Sequence, residues 1–588
     1  MRTLWKWILG AVGVLIIAAL AGSWYLSRHW KPLLRDRMTE LVARSSDGLY
    51  RISYDDLDFS LITGNASIKN LRLTPDSGVY ARLHQRQQAP DNRYDIHIAH
   101  LRIRNFHPRR VVSQRQLHIS DIIVDTPSVH VINEYHAYND TVPIDNDQRT
   151  LYQRISAVLD AVGVRSLRMK DINFRFTKKK DSTMTEIALQ RVNLAARDIL
   201  IDSLSQFDTL RFYHTRSINV DIPGFRWETA DSLYFVQFGR LRIATGEKRV
   251  VLTGLEYAPA VSRREFYRRK KTAAEMTTLV FPEIRLENID LHRFVRSQKI
   301  YAGSLHIDSA RVAIAKDLRY PKVVENKVGQ SPHQLLLRMQ QQLKIDSVLL
   351  RGVDLRYSEV SAKYGREGEI TFDRTDGVLY NVTNDTLALI QNRMLSASFT
   401  SYLMNRGRLQ VVFDFDLLDK QGAYTYKGTL GRMDGRSLNR IITPLLNAEV
   451  ASANIRGLRF AMQANDSRAW GTMRFDYDNM RINLLQQRED GANASMRVAS
   501  FLATSFVIND SNPDANDVYH TATISYRRDE THSFFKTVWK SLLEGIKQCA
   551  GISKAREERL LNAAEEAKNL KEKTGGFFRR IFKGKREP

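Results

Sequence analysis

Four histidines near the start of the chain are the residues whose type and spacing come nearest to a metal site. They are His97, His100, His107 and His118. His97 and His100 lie in one strand-like segment, where they point to opposite faces, and no cysteine or nearby carboxylate completes a ligand set. The spacing therefore disfavours a metal centre, and we expect no cofactor.

Neighbouring carboxylates could serve acid–base chemistry or calcium binding. Asp414 and Asp416 alternate with Phe413 and Phe415, however, which is typical of the solvated face of a strand. The chain contains no glycine-rich phosphate loop, zinc-protease, serine-nucleophile or paired-cysteine motif. We therefore predict that the protein is not an enzyme, with chemistry outside these motifs as the alternative. A similar acidic group comprises Asp55, Asp56 and Asp58.

The composition indicates a large, basic and folded protein. The 588 residues include 89 Lys or Arg against 65 Asp or Glu, a formal charge of +24, and 43% are hydrophobic. The single cysteine, Cys549, excludes an internal disulfide. Because the basic residues are dispersed along the chain without a recognition module, we predict no binding to nucleic acid. A membrane-anchored protein that faces anionic lipid explains the charge more simply.

The elements that position these residues begin with a membrane anchor, predicted over residues 1–31. An uncharged run from Trp7 to Leu26 gives about 20 helical residues, enough to span about 30 Å of hydrocarbon. A cleaved signal peptide is the alternative, since Ala19 and Ala21 offer a cleavage site, but the run continues past them. Basic residues flank both ends, so charge leaves the orientation open. The positions assigned to the bilayer are Trp7, Ile8, Leu15, Ile16, Ile17, Leu20, Trp24 and Leu26.

One eight-residue pattern recurs along the body of the chain: apolar, any, apolar, any, polar or Gly, apolar, any, apolar. In an unbroken strand its two apolar pairs would face opposite sides. A one-residue bulge or tight bend at the fifth position returns both pairs to one face. The pattern therefore predicts strands that bend while they keep one apolar surface. Its clearest copies begin at Leu117, Leu167, Ile284, Leu305 and Leu343, and looser copies begin at Ala66, Ile96, Ile187, Val236, Val250 and Ala453.

These copies favour a mainly β fold with a long, twisted, open antiparallel sheet that curls into a groove. An ordinary β-sandwich is the alternative, but the copies extend from residue 66 to 460 without the spacing of one sandwich. We place a short amphipathic helix at 32–48 and the β body at 49–530. A few short helices, at 151–162, 334–342 and 438–447, are predicted to pack on the sheet, and 263–271 is a basic run between strands.

The C-terminal pattern changes to helix over 531–573, where one stripe combines Phe535, Val538, Trp539, Leu542, Leu543 and Ile546. A basic aromatic tail at 574–588 follows. Its composition suits an anionic membrane surface, and a solvated tail is the alternative of equal weight. The tail residues assigned to the membrane surface are Phe577, Phe578, Arg579, Arg580, Ile581, Phe582 and Lys583.

The order of anchor, short helix and the strand-rich segment from Leu49 to Leu73 resembles the start of AsmA-like proteins of the Gram-negative envelope, which are related to chorein-type bridge lipid-transfer proteins. The segment from Gly471 to Leu485 also resembles the AsmA C-terminal region. The combination of short helices with many strands is closest to that expected of a Bacteroidetes member. The resemblance covers most of the chain. It depends on the order of apolar and polar positions and not on a catalytic motif.

This resemblance implies a single-pass inner-membrane protein whose body lies in the periplasm and binds phospholipid in an apolar β-groove. Such a protein would support lipid transport or homeostasis between the two membranes. A structural or assembly factor for outer-membrane biogenesis, with envelope protein partners and without lipid carriage, is the alternative. The candidate groove residues are Leu117, Ile119, Leu167, Met169, Leu305, Ile307, Leu343 and Ile345.

Overall fold

A computed structural model describes residues 39–40, 42–44, 46–60, 63–140, 151–156, 159–180, 183–487, 493–495 and 509–552. The predicted mainly β fold is confirmed, with strands in a large, twisted and mostly antiparallel sheet. Within the described ranges no helix is long and apolar enough to cross a membrane. The predicted anchor and the tail at 574–588 lie outside the described residues. Of the helix predicted at 32–48, residues 39, 40 and 42–44 are helical.

The strands in chain order are β1 Tyr50–Ser53, β2 Asp56–Ser60, β3 Asn65–Pro75, β4 Asn92–Arg104, β5 Gln116–Glu134, β6 Ala161–Lys180, β7 Thr183–Ile201, β8 Thr215–Ile222, β9 Phe225–Glu228, β10 Tyr234–Phe238, β11 Arg240–Ala244, β12 Arg249–Pro259 and β13 Met276–Glu287. They continue with β14 Ile300–Asp308, β15 Arg311–Asp317, β16 Leu343–Val360, β17 Glu367–Thr383, β18 Met394–Leu403, β19 Gly407–Asp416, β20 Tyr424–Leu430, β21 Met433–Asp434, β22 Ala448–Ala464, β23 Arg468–Gln487, β24 Asn493–Ser495 and β25 Thr521–Arg527.

The α-helices that lie wholly within the described residues are short except for the last. In chain order they are α1 Ser77–Gln85, α2 Pro108–Gln114, α3 Leu151–Ile155, α4 Arg263–Lys270, α5 Leu291–Ser297, α6 Pro332–Arg338, α7 Thr386–Gln391, α8 Asn439–Leu446 and α9 Phe534–Cys549. The basic run at 263–271 lies between strands β12 and β13, as predicted, and most of it forms helix α4. The Ser262 side chain accepts a hydrogen bond from the amide of Glu265 and caps this helix, whose Phe266 and Tyr267 are buried.

The chain divides into two compact units. The first comprises Met1–Thr229, Val236–Leu255 and Arg285–His292, and the second comprises Ala230–Phe235, Glu256–Ile284 and Arg293–Pro588. In the first unit, strands β3, β4 and β5 pair antiparallel in sequence, as do β6, β7 and β8. In the second, antiparallel pairing runs from β16 through β20 and on to β22, β23 and β25.

Among the described strands, the prediction of antiparallel pairing is wrong for three pairs. Strand β5 pairs in parallel with β6, and β16 pairs in parallel with both β14 and β15. The chain between β5 and β6 contains α3, and the chain between β15 and β16 contains α6. A crossover of this length returns the chain to the same end of the sheet, which a tight hairpin cannot do.

The predicted bends are present at the fifth position of six copies of the strand pattern. The residues there have a positive φ: Asn70, Asp171, Arg191, Gly254, Asn288 and Ser309. In β5 the pattern reaches the same result without a positive φ at its fifth position. Its two apolar pairs pack in one core, and they are Leu117, Ile119, Ile122 and Val124. The pattern thus describes strands that keep one apolar face through a bend.

We expect Ser309→Ile to lower the free energy of unfolding by about 1–2 kcal/mol, since a β-branched residue is disfavoured at positive φ. Ser309 has a φ of 56° and an exposed side chain, so lost packing does not contribute. Thermal denaturation followed by circular dichroism measures the change. Ser309→Gly is the control and should retain the wild-type stability, because glycine adopts this φ readily. Equal destabilisation by both variants would contradict the bend.

Candidate functional site

Two rows of mostly apolar side chains cross neighbouring strands of the second unit. Strand register places these residues side by side, and partners across a ladder lie on the same face of a sheet. We call them the apolar rows. The first contains Leu279, Val312, Leu355, Phe372 and Leu403, from β13, β15, β16, β17 and β18. The second contains Thr277, Ile314, Tyr357 and Ile370, from β13 and β15 to β17.

The opposite face of the same strands is less apolar. Register places Thr278 beside Ala313, Ala313 beside Arg356, and Arg356 beside Thr371. Arg356 reaches Glu369, whose carboxylate lies 3.4 Å from its guanidinium. The sheet therefore has one hydrocarbon face and one face with polar and charged groups, as alternation within each strand requires.

The side chains of the apolar rows are all half-buried, so each retains contact with solvent. In packed cores of the same chain, apolar side chains are almost fully enclosed: Tyr426 is 1% exposed and Ile524 is 1% exposed. Partial burial and Glu359 raise the pKa of the Tyr357 hydroxyl, which donates a 2.7 Å hydrogen bond to Glu359. The rows are an apolar sheet face that the described residues leave partly open.

The same face continues into a closed core, because helix α9 packs on β23 and β25. Phe534 begins the helix and packs against the rings of Phe413, Phe415 and Tyr424, at centroid distances of 5.9, 5.9 and 5.0 Å. Leu403, which ends the first row, also packs against this core. Helix α9 thus covers one part of this apolar face, and the face remains partly open at the apolar rows.

Helix α9 approaches the sheet closely through a line of small residues. Thr537, Ser541, Gly545 and Cys549 are buried, and Ser541 Oγ lies 2.6 Å from the hydroxyl of Tyr426. The apolar stripe predicted from sequence flanks this contact instead. Val538, Leu542 and Ile546 pack at the edge of the core, whereas Phe535 and Trp539 are exposed. Small side chains let the helix backbone approach the strands, which displaces the larger residues to the flanks.

We expect Gly545→Leu to lower the free energy of unfolding of the second unit by about 1–3 kcal/mol, through overpacking. Even a Cβ at position 545 would lie 2.6 Å from Ile524 Cδ1 and 2.8 Å from Met473 Sδ. Thermal unfolding of the purified protein measures the loss. Glu544→Leu, at the adjacent half-buried position, should change stability less. A larger loss in Glu544→Leu would contradict the close approach.

Helix α8 contacts the same sheet face at the start of β17. A Cβ at Gly368 would lie 2.9 Å from Leu445 Cγ and 3.0 Å from the carbonyl oxygen of Ile441. Gly368 is two positions before Ile370 of the second row and therefore lies on its side of the strand. The close contact needs a residue without a side chain here.

The structure places the groove residues predicted from sequence in different environments. Leu117 and Ile119 are buried in the core of the first unit, and Leu167 and Met169 pack against that core. Leu343 and Ile345 are buried in β16. Leu305 and Ile307 are half-buried in β14, opposite Val348 and Leu350 of β16. That these eight residues line a lipid groove stays a prediction.

The polar residues considered for chemistry serve local hydrogen bonds. His100 Nε2 lies 2.8 Å from Ser67 Oγ, and Ser396 donates a 2.6 Å hydrogen bond to Asp414. Arg393 pairs with Asp416. Within the part of the chain that the structure describes, no group of three His, Cys, Asp or Glu side chains could hold a metal ion.

The sequence pattern identified only part of the apolar rows. Val312 belongs to a copy of the strand pattern, but Leu279, Leu355 and Phe372 do not. The alternation around Val353, Leu355 and Tyr357 was an available signal. Which strands pair, and in which register, required the structure.

Comparison with known proteins does not add a family. No protein-family model matches the chain, and no curated protein matches it significantly. The resemblance to AsmA-like proteins therefore stays a prediction.

Proposed function

We propose that the protein binds phospholipid, with acyl chains on the apolar rows of the second unit, as part of an open sheet curled into a groove. The observation that supports this most directly is a hydrocarbon face whose side chains remain half-exposed beside a fully packed core. A sheet normally covers its apolar face with another layer of protein. An acyl chain would complete that layer.

The free energy of lipid binding at this site would come from the transfer of acyl chains out of water. Moving hydrocarbon from water into apolar contact contributes about 0.8 kcal/mol for each CH₂ group buried. These contacts lack direction, so the rows would distinguish acyl chains poorly. Binding and release need no bond to form or break, and we propose a carrier and not an enzyme.

The proposed setting is the Gram-negative envelope, with an inner-membrane anchor at 1–31 and the body in the periplasm, supporting lipid movement or homeostasis between the membranes. The apolar run at Trp7–Leu26 and the resemblance to AsmA-like proteins support this setting. An alkaline-phosphatase fusion after Ser60 tests the topology. Activity is expected, and an inactive fusion that is stably expressed would contradict a periplasmic body.

An assembly factor that binds protein on the same face is the second candidate. The observation that favours it is α9, because a protein helix already covers the neighbouring part of this face. The apolar rows could accept a partner's helix or strand in the same way, without lipid.

Site-specific photo-crosslinking separates the two candidates in the full chain, in cells. A benzoylphenylalanine at Ile314, on the second row, is expected to form adducts with phospholipid, which mass spectrometry of the purified protein detects. The control is the same probe at Ala313, the next residue, whose side chain lies on the opposite face. Protein adducts at Ile314 without lipid would support the assembly factor and contradict lipid binding.

A further inference from the structure

Lysines gather between the end of strand β15 and the start of helix α9. Lys316 follows Ile314 by two positions on β15 and therefore lies on the side of the rows. Lys322 lies in the segment after β15, and Lys536 and Lys540 lie in the first turns of α9. Desolvation lowers the pKa of Lys536, and Lys322, Lys540 and Lys316 lower it further. We call Lys322, Lys536 and Lys540 the lysine edge.

The carboxylates around the lysine edge are engaged with other groups. Glu275 lies 3.7 Å from Lys316, and Glu359 accepts the hydrogen bond of Tyr357. Glu359 favours the charged form of Lys536, and Lys536 in turn helps to lower the pKa of Asp529. Asp529 lies 3.6 Å from His532, and Glu530 accepts a hydrogen bond from Asn326. Among the described residues, none of the three lysines of the edge has a carboxylate within ion-pair distance.

Exposed apolar side chains stand beside these charges. Phe535 is 72% exposed and Trp539 is 48% exposed, and they alternate along α9 with Lys536 and Lys540. Val324, two residues after Lys322, is 81% exposed. Aromatic rings next to ammonium groups match the boundary between hydrocarbon and headgroup in a phospholipid.

We infer that the lysine edge binds the phosphate of an anionic phospholipid headgroup while the acyl chains lie on the apolar rows. This inference rests on the proposed function for its acyl-chain site. Charge complementarity favours this occupant, because hydrogen bonds from the Lys327 amide and the Asn326 side chain to Glu530 hold the segment of Lys322 beside the start of α9. Among the described residues, no carboxylate neutralises the three lysines that this arrangement brings together. The segment after α9 in the sequence is a poor alternative occupant, since residues 553–588 are net basic and like charges repel.

The test uses the full chain with benzoylphenylalanine at Ile314 and vesicles that contain phosphatidylglycerol and phosphatidylcholine in equal amounts. We expect phosphatidylglycerol adducts to exceed phosphatidylcholine adducts by at least about fivefold. The triple variant K322Q/K536Q/K540Q should bring the ratio close to one and retain adducts with both lipids. The control K363Q/K420Q/K427Q removes three exposed lysines elsewhere in the second unit and should keep the wild-type ratio.

The failures of the inference and of the proposed function are distinguishable. Equal adducts of both lipids in the wild type, or an unchanged ratio in K322Q/K536Q/K540Q, would overturn the lysine edge and leave acyl-chain binding intact. Absence of lipid adducts from every protein, with the fold retained by circular dichroism, would overturn both. A drop in the ratio for both triple variants would show that net charge, and not this edge, sets the preference.

Discussion

Val312→Asp should reduce lipid adducts at Ile314 by at least about tenfold. Val312 lies between Leu279 and Leu355 in the first apolar row, so an acyl chain on this face would contact the new carboxylate. An ionised group placed against hydrocarbon costs several kcal/mol unless it keeps its water, and about 1.4 kcal/mol corresponds to a tenfold change in binding. Photo-crosslinking in cells, followed by mass spectrometry, measures the loss.

Ala313→Asp is the matched control, because it adds the same charge at the next residue on the opposite face. Ala313 is half-buried, as Val312 is, so the two variants have similar effects on the strand itself. Wild-type adduct yield in Ala313→Asp together with loss in Val312→Asp would support the rows. Equal yields in the two variants would contradict an acyl chain on this face.

Arg528→Met should lower the free energy of unfolding of the second unit by about 3–5 kcal/mol, because it removes one partner of a buried ion pair. The Arg528 side chain is 1% exposed, and its Nη1 lies 3.1 Å from Asp466 Oδ1. Its Nη2 donates to the carbonyl oxygens of Lys327 and His532, at 2.8 and 3.1 Å. The guanidinium therefore connects the turn between β22 and β23, the segment before α6 and the residues before α9.

Thermal denaturation measures this loss, and Arg527→Met is the control because the neighbouring side chain is exposed. The Arg527 variant should change stability by less than about 0.5 kcal/mol, as surface substitutions usually do. Asp466 also accepts hydrogen bonds from Gln334 and from the amide of Gly329, so its carboxylate keeps partners in Arg528→Met. Equal melting temperatures for both variants would contradict a structural role for the ion pair.

This ion pair also bears on the proposed lipid site. Lys327 accepts the hydrogen bond of Arg528 and follows Lys322 in the same segment, while His532 precedes Lys536 of α9. Arg528 thus holds together the two segments that supply the lysine edge. Weakening the Arg528 contacts should therefore reduce the preference for phosphatidylglycerol as well as the stability of the protein. The apolar rows should be less affected, because they lie on strands and not on these two segments.

Much of the local structure was predictable from the chain itself. The spacing of two apolar pairs around a polar residue predicted a bend, and positive φ values at Asp171, Arg191 and Ser309 confirm it. The start of α9 was predictable too, because Ser533 precedes a helical pattern and caps the helix through the amide of Lys536. Both features depend on residues a few positions apart, which sequence order brings together.

The face of α9 that packs on the sheet was not predictable in the same way. Hydrophobic spacing favours the stripe with Phe535 and Trp539, but the sheet contacts Thr537, Ser541 and Gly545. The distance between helix and sheet decides which face of α9 packs on the strands. That distance depends on Met473, Ile524 and Tyr426, which lie in strands far from α9 in the sequence.

The sequence by itself determined strands with one apolar side, the bends within them and an amphipathic C-terminal helix, because each is set by the order of neighbouring residues. Only the tertiary structure decided which parts of that apolar side are closed. Register joins Leu279, Val312, Leu355 and Phe372 into a row, although they are up to 93 positions apart in the chain. Helix α9 covers the neighbouring core and leaves the row half-exposed, since one helix is too narrow to cover the whole width of the sheet.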